Sequence, residues 1–359
     1  MSVKSKQLDF TGQNIYVGID VHKKHFTVSI HGELSAYKTF NQPAESKPLI
    51  NYLMRNFPNA NYFAVYEAGF SGFWLHKELQ SNGVNCIVVN PCDVPTTDKE
   101  KKQKRDVLDS RKLARSLKSG ELTGIHVPEI DIQQDRGLLR TRKQLIGNQT
   151  RCRNRIKSLL DFYGIKLPEQ FNQSGTHWSN RFMSWLDSVK LKEESGNASL
   201  TLLLQEAESL RLLLLKAQRA IRKLSLSSSY KKNMELLLTV PGIGTLTGML
   251  LLTEIGDINR FKGIDHLCSY IGLMPNIYAS GEKERVGDIT KRGNKHLRSY
   301  IIESSWVAVR NDPVLGQKYH ELCGRMTGNK AIIRIARKLL NRIRYVLVNK
   351  KEYVLAVAA

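Results

Sequence analysis

Residues 14–32 read NIYVGIDVHKKHFTVSIHG, and this stretch decides the class of fold. Apolar residues alternate with small or polar ones on both sides of a basic turn, which predicts two antiparallel strands over 14–20 and 25–31. Asp20 stands where the first strand ends. A buried carboxylate is costly without a partner, a metal ion or solvent. Asp20 is therefore a candidate ligand, and an ordinary turn aspartate is the alternative.

The segments that follow extend the predicted sheet. Strands are expected over 62–67 and 84–90, with helices around 45–56 and 71–82. Two antiparallel strands thus open the sheet and parallel ones follow, which favours an RNase H-like α/β domain. A dinucleotide-binding fold would need a glycine-rich turn after the first strand, and VHKKH has none.

The remainder of the chain reads as mostly helical. A helix is expected from about Asp106, and a long one over 131–165 carries eight Arg and Lys and no acid between 136 and 157. A leucine-rich helix over 197–225 should pair with it as an antiparallel coiled-coil-like hairpin. We therefore predict three regions, 1–125, 126–229 and 230–359, of which the last is mostly helical with a helix-hairpin-helix-like segment.

The charge of the chain points to a polyanionic partner. The chain has 55 Lys and Arg against 33 Asp and Glu, a net charge of +22, and residues 325–351 hold nine Lys and Arg and no acid. Nucleic acid is the favoured partner, and an anionic membrane surface is the alternative. No apolar run reaches the roughly 18 residues of a spanning helix. Five scattered cysteines fit reduced thiols in a cytoplasmic protein rather than disulfides or zinc.

Four carboxylates stand out by position. Asp20 and Glu67 each end a strand, and Asp106 and Asp109 are three apart at the start of a helix, so both lie on one face. Brought together, they supply the oxygen ligands that two Mg²⁺ or Mn²⁺ ions need for phosphoryl transfer. The alternatives are a helix N-terminal residue at Asp106 and turn residues at Glu67 and Asp20.

Two further segments are candidates for contact with nucleic acid. The VPGIG turn at 240–244 could expose backbone N–H groups to phosphate, as in helix-hairpin-helix modules, or be a plain interhelical turn. Ser280 lies in a loop rich in glycine and cations, where its hydroxyl could attack a phosphodiester if activated; a Ser-Gly turn is the alternative. The candidate nucleic-acid-binding residues are Lys23, Lys24, Arg140, Arg142, Arg151, Arg155, Gly242, Gly244, Lys283, Arg285, Lys291, Arg292 and Arg298.

Six motifs in order carry a resemblance to a known family. They are GIDVHKKH, YEAGFSGFWLHKEL, KRDVLDSRKLARSL, VPGIGTLTG, YIGLMPNIYASGEKERVGDITKRGNKHLR and ESSW. With them the chain resembles the DEDD-type transposases of the insertion-sequence-110 family, the bridge-RNA-guided serine recombinases that also include pilin-gene invertases. The resemblance covers nearly the whole chain.

The resemblance implies a RuvC-like N-terminal domain and a C-terminal transposase domain. Asp20, Glu67, Asp106 and Asp109 match the DEDD positions, and Ser280 matches the nucleophilic serine. It further implies a covalent phosphoserine intermediate, strand exchange through a Holliday-junction-like intermediate, a divalent metal, and a dimer of dimers. The implied partners are double-stranded target and donor DNA and a noncoding bridge RNA.

Two other functions stay open at this point. A junction-resolving endonuclease would share the four carboxylates but hydrolyse DNA without Ser280. A non-catalytic nucleic-acid-binding protein would use only the Pro-Gly-Ile-Gly turn and the basic helices. In each case the turn residues from His22 to His25 could face substrate phosphate.

Overall fold

A computed structural model describes residues 9–33, 36–97, 105–280, 283–290 and 292–355; the side chains of Tyr37, 277–280 and 283–286 are also outside this description. The chain divides into two units, Met1–Pro128 and Glu129–Ala359. The first unit contains the predicted sheet, and the second is mostly helical. The division into three regions at 125 and 229 stays a prediction.

The first unit is built on one mixed sheet with the strand order β3-β2-β1-β4-β5. β1 pairs antiparallel with β2 and β2 with β3, whereas β1, β4 and β5 are parallel. Within the described part of this unit the elements are β1 Asn14–Val21, β2 His25–His31, β3 Ala36–Pro43, α1 Ser46–Asn56, β4 Asn61–Glu67, α2 Trp74–Ser81, β5 Val84–Val89 and α3 Asp106–Lys118.

The predicted order of antiparallel and parallel strands is confirmed, and β3 is an addition. β3 was not predicted because its segment, AYKTFNQP, is mostly polar and lacks an apolar alternation. β3 is an edge strand. Polar side chains hold it to β2: Thr27 Oγ1 donates a hydrogen bond to Asn41 Oδ1 at 2.9 Å, and the hydroxyls of Ser29 and Thr39 are 3.0 Å apart.

The two faces of the sheet carry different helices. Ile15, Val17 and Ile19 of β1 are fully buried in a core that includes apolar side chains of α1 and α2. The opposite face carries α3, whose Leu113 packs with Val65 of β4 and with residues of β5 and the segment after it. Successive side chains of a strand point to opposite faces, so the even-numbered residues of β1 face α3.

Gly18 lets α3 approach β1 closely. A Cβ at Gly18 would lie 2.1 Å from the carbonyl oxygen of Ser110 and 2.4 Å from the backbone nitrogen of Ala114. Nearby, the Ser29 and Ser110 hydroxyls form a buried hydrogen bond of 2.8 Å between β2 and α3. This contact places the first turn of α3 beside the carboxyl end of β1.

Replacing Gly18 with alanine is expected to destabilise the protein by about 2–3 kcal/mol, since the added methyl group meets helix backbone that cannot rotate away. Urea unfolding of the variant and the wild type would measure the loss. Gly69→Ala is the matched control, because a Cβ there meets nothing closer than 4.0 Å. Equal unfolding midpoints for Gly18→Ala and the wild type would contradict the close packing.

The second unit begins with two long helices. Its described elements are α4 Ile130–Phe162, α5 Asn180–Ser188, α6 Glu194–Ser225, α7 Lys231–Leu238, α8 Thr245–Ile255, α9 Ile264–Ile271, β6 Pro275–Ser280, β7 Lys283–Ile289, α10 Lys295–Asn311, α11 Pro313–Cys323 and α12 Gly328–Asn349. The Sγ atom of Cys152 in α4 lies 3.4 Å from the carbonyl oxygen of Leu203 in α6. Asp135, near the start of α4, accepts a hydrogen bond from Tyr230, just beyond the end of α6. The two helices are therefore antiparallel, as predicted.

A buried ionic network joins the start of α4 to the C-terminal core. Glu254 at the end of α8 is only 1% exposed. Arg140 donates two hydrogen bonds to its carboxylate, at 2.9 and 3.0 Å, Arg136 is 3.4 Å away, and Asn294 Nδ2 donates at 2.8 Å. Asn294 is also the N-cap of α10, so the network ties three helices together.

The segment around Ser280 is a β-hairpin, and our expectation of a glycine-punctuated loop was wrong. β6 and β7 pair antiparallel, with Tyr278 opposite Arg285. Glycine and charged residues in this stretch hid the strand pattern, whereas the backbone hydrogen bonds of a hairpin do not require an apolar face. Among the described residues, no helix combines the length and the apolar character needed to cross a bilayer.

Candidate active site

The carboxyl ends of β1 and β4 lie side by side. The parallel register places Gly18 of β1 opposite Val65 of β4. Asp20 and Glu67 each come two residues later, so they stand at the same level and on the face of the sheet that α3 covers. The register thus brings the first two predicted carboxylates to one edge.

The first turn of α3 adds the other two. Asp106 lies one turn before Ser110, whose backbone faces β1, and Asp109 lies one turn before Leu113, which packs against Val65. Residues four apart share one face of a helix, so both carboxylates lie above the sheet edge. The N-terminus of the helix favours negative charge there.

The two histidines of the β1–β2 turn contact these carboxylates. His22 Nε2 is 3.1 Å from Asp20 Oδ2 and 3.2 Å from Asp106 Oδ2, and His25 Nε2 is 3.8 Å from Asp106 Oδ2. The turn closes by a hydrogen bond from the His22 N–H to the His25 carbonyl at 3.0 Å. His22 therefore links the end of β1 to the first turn of α3.

The surroundings of Asp20 disfavour its ionised form. Burial raises the pKa of this carboxyl above its usual value, and the like charges of Asp106 and Asp109 raise it further, whereas His22 acts in the opposite direction. A raised carboxyl pKa means that the ionised form is disfavoured in this place. A cation bound among the carboxylates would offset both the free-energy cost of burying their charge and their mutual repulsion.

Lys112 is a member of this cluster that the sequence analysis missed. It is only 7% exposed, and its Nζ lies 3.2 Å from Asp109 Oδ1. A buried lysine needs such a partner, and the pair holds Asp109 in one orientation. A lysine three residues after an aspartate in a helix indicates a possible ion pair, but many exposed Asp–Lys pairs have the same spacing.

The donor set fits a divalent metal. Asp20, Asp106 and Asp109 lie close enough for their charges to interact, and the strand register brings Glu67 to the same edge. Carboxylate oxygens are the ligands that Mg²⁺ and Mn²⁺ prefer. The site is thus suited to the ions that in-line phosphoryl transfer uses. The role of each carboxylate stays a prediction.

Ser280 is the last residue of β6, and its backbone pairs with Lys283 of β7. The side chains of Ser280, Lys283 and Arg285, and all of Lys291, are outside the described residues. At the base of the hairpin, one nitrogen of Arg298 donates to the carbonyls of Gly272 at 3.2 Å and Thr290 at 2.9 Å. Arg298 therefore anchors the hairpin to α10, whereas Arg292 is exposed.

Three of the four predicted nucleic-acid-binding residues of α4 have side-chain partners within the protein. Arg140 is bound to Glu254, and Arg155 donates to both oxygens of Glu206 at 2.6 and 2.7 Å. Arg151 donates to the side chain of Asn148. The buried Nε of Arg142 has no hydrogen-bond partner among the described residues. Contact of Arg140 or Arg155 with a phosphate would require exchanging a carboxylate for it.

The turn at 240–244 combines a packing role with an exposed helix start. Gly242 has a φ of +85°, and a Cβ there would lie 2.3 Å from the carbonyl oxygen of Ser304 in α10. Gly244 is exposed and is the N-cap of α8, with nothing within 4 Å of an added Cβ. The first glycine therefore allows close packing, and the second leaves the helix start open to a phosphate.

The sequence predicted only that the last helix, α12, is basic. The structure shows that three of its cations form a row. Lys330, Arg334 and Lys338 are exposed and four residues apart, so they form one stripe. They line a groove of about 860 Å³ whose other side includes Pro275 and Ile289 at the base of the β6–β7 hairpin. We call these three residues the α12 stripe. It is a surface on which a phosphate backbone could lie beside the hairpin.

Two family models match the chain. Residues 17–165 match the DEDD transposase model of IS110 elements, described as "Transposase", and residues 234–320 match the model described as "Transposase IS116/IS110/IS902 family". Together the matches span about two thirds of the 359 residues. The first contains the four carboxylates, and the second contains Ser280.

Relatives align with most of the chain. The putative transposase y4qE of Sinorhizobium fredii is 27% identical over 311 residues, covering 84% of this chain and 74% of that protein. The transposase for insertion sequence element IS1533 of Leptospira borgpetersenii is 26% identical over 338 residues, covering 89% and 92%. The transposase for insertion sequence element IS1111A of Coxiella burnetii is 26% identical over 253 residues, covering 69% and 66%.

Proposed function

The chain belongs to the IS110 family of insertion-sequence transposases, and from this premise we propose that it is an RNA-guided DNA recombinase. It would cut and rejoin donor and target DNA through a covalent bond between DNA and Ser280. The DEDD transposase match implies an RNase H-like fold for the first unit. The strand order of that unit agrees with such a fold.

One observation carries the catalytic half of the proposal. Asp20 and Glu67 end neighbouring parallel strands, and Asp106 and Asp109 meet them from the first turn of α3. The acids come from three separate segments of the chain, and the charges of Asp106 and Asp109 raise the pKa of Asp20. Divalent cations bound between the carboxylates would offset this repulsion, which a purely structural role leaves unexplained.

The residues of the cluster have separate tasks in this proposal. Asp20, Glu67, Asp106 and Asp109 would hold the divalent ions, which when bound neutralise charge on the reacting phosphate. Lys112 keeps Asp109 oriented, and His22 links Asp20 to Asp106. These contacts hold the carboxylates of Asp20, Asp106 and Asp109 in place, as preorganised catalysis requires.

A serine nucleophile explains how strands are joined without an added energy source. The Ser280 oxygen would form a bond to phosphorus as the bond from phosphorus to a deoxyribose oxygen breaks, and that oxygen takes up a proton. A hydroxyl of the other DNA partner would then attack the phosphoserine and release Ser280. Each step makes one phosphoester and breaks one, so exchange through a Holliday-junction-like intermediate needs no hydrolysis.

The partners follow from the charge and the family. A net charge of +22 suits a protein that holds two DNA duplexes and a noncoding bridge RNA. Pairing between RNA and DNA would read the sequence, and the protein would bind the backbone by its shape. Exposed leucines of α6, among them Leu202, Leu212 and Leu213, agree with association into a dimer of dimers.

The experiment that tests the proposal looks for the covalent intermediate. The full chain is incubated with the RNA of its element, donor and target DNA and Mg²⁺, then denatured, digested and analysed by mass spectrometry. We expect DNA attached to the peptide that contains Ser280, and no adduct when EDTA is present.

Each alternative predicts a different product. Cut DNA without any adduct would favour the junction-resolving endonuclease, since water would then be the nucleophile. Binding without cutting would favour the non-catalytic nucleic-acid-binding protein. Either result would overturn the serine mechanism.

A further inference from the structure

The β1–β2 turn presents two imidazole nitrogens to the carboxylate cluster. The rings of His22 and His25 are stacked, with centroids 5.0 Å apart and planes 27° apart. Their side chains are 40% and 44% exposed, so solvent and ions can reach them. The donor atoms of His22, His25 and Asp106 all lie within 4.8 Å of one another.

His22 lies between two carboxylates. Its Nε2 is almost equally far from one oxygen of Asp20 and one of Asp106, at 3.1 and 3.2 Å. This nitrogen carries at most one proton, which cannot point straight at both oxygens. A cation placed between His22, His25 and Asp106, whose donor atoms all lie within 4.8 Å of one another, would contact all three.

The spacing of these atoms matches a coordination sphere. Bonds of about 2.0–2.1 Å to a tetrahedral ion place the donor atoms roughly 3.3 Å apart. The observed separations are 3.2 Å from His22 to Asp106 and 3.8 Å from His25 to Asp106. Small rotations of the partly exposed His25 ring would bring the last distance into range.

We propose that His22, His25 and Asp106 bind a divalent first-row transition metal through two nitrogens and one oxygen. One ion position of the proposed catalytic cluster would then prefer Mn²⁺, Co²⁺ or Zn²⁺ to Mg²⁺. Imidazole binds these borderline ions well, whereas Mg²⁺ takes oxygen ligands and keeps much of its water. This inference rests on the proposed function because Asp106 belongs to the proposed catalytic cluster.

The test measures coordination on the whole chain without any DNA or RNA. Co²⁺ is titrated and followed by its visible absorption, and bound Mn²⁺ is probed by pulsed electron paramagnetic resonance for couplings to imidazole nitrogen. We expect nitrogen couplings in the wild type. The His22→Ala/His25→Ala double variant should lose them, together with about tenfold or more of its Co²⁺ affinity. Its Mg²⁺ affinity should change little.

Two controls keep the result interpretable. His320→Ala removes an exposed imidazole of α11, far along the chain, and should leave Co²⁺ binding unchanged. Thermal unfolding of the double variant checks that the fold is kept. Asp109→Asn leaves both histidines in place and should keep the nitrogen couplings.

The outcomes separate this inference from the function. Mn²⁺ bound without nitrogen couplings, or couplings unchanged in the double variant, would overturn the histidine site and leave the recombinase proposal standing. Nitrogen couplings in a protein that forms no adduct with DNA would support the site and count against the recombinase. Failure of every ion to bind would overturn both.

Discussion

Replacing Ser280 with alanine is expected to remove the covalent protein–DNA complex and to lower strand exchange by about 10⁴-fold or more, the scale of loss when a covalent nucleophile is deleted. The change deletes one hydroxyl oxygen. Ser280 ends β6 and pairs through its backbone with Lys283, and alanine keeps that backbone pairing. The variant should therefore fold and bind DNA and RNA with the same dependence on salt.

Ser299→Ala is the matched control for this prediction. Ser299 lies on α10, is exposed, and bonds only to the carbonyl of His296 one turn earlier, at 2.9 Å. It lies in the same unit but has no part in the proposed reaction, so exchange should be kept. Adduct formation by Ser280→Ala at the wild-type level would show that another residue of the protein attacks the phosphate.

The part of the fold that could be predicted from sequence depends on local pattern. β1 and β2 alternate strictly around a short turn, so their positions and pairing follow from residues 14–31 alone. The approach of Asp20 to Glu67 was expected only if their strands were neighbours, and the parallel pairing of β1 with β4 meets this condition.

Other features depend on contacts that the pattern does not encode. β3 and the β6–β7 hairpin carry polar residues, and backbone pairing with a neighbour makes them strands. The role of Gly18 appears only when α3 packs on it, since a glycine in a strand has several possible reasons.

The same limit applies to the candidate site. The four acids could be identified from the sequence because they end predicted strands or begin a predicted helix. Contact of His22 with both Asp20 and Asp106, and of Lys112 with Asp109, arises from how α3 crosses the sheet. The sequence suggested that the turn residues His22 to His25 could face substrate phosphate because they follow Asp20 closely. In the structure, both imidazoles lie against carboxylates.

The Asp20→Asn variant should lose strand exchange and adduct formation by about 10³-fold or more while remaining folded, as expected when a single essential carboxylate is neutralised. An amide keeps the size of the side chain but carries no charge with which to bind a divalent cation. The distances place Asp20 beside Asp106 through His22, so its charge acts on the whole cluster. Glu33→Gln, at an exposed position of the same unit, is the control.

Stability without metal distinguishes a catalytic from a structural role for Asp20. Its pKa is raised by burial and by neighbouring carboxylates, so the ionised form opposes folding once the pH rises through the raised pKa. At neutral pH the metal-free variant should therefore unfold at a temperature no lower than the metal-free wild type. Added Mn²⁺ should stabilise the wild type more than the variant, because only a folded site binds the ion. A variant that unfolds earlier than the wild type without metal would instead identify Asp20 as a residue that holds the fold together through His22.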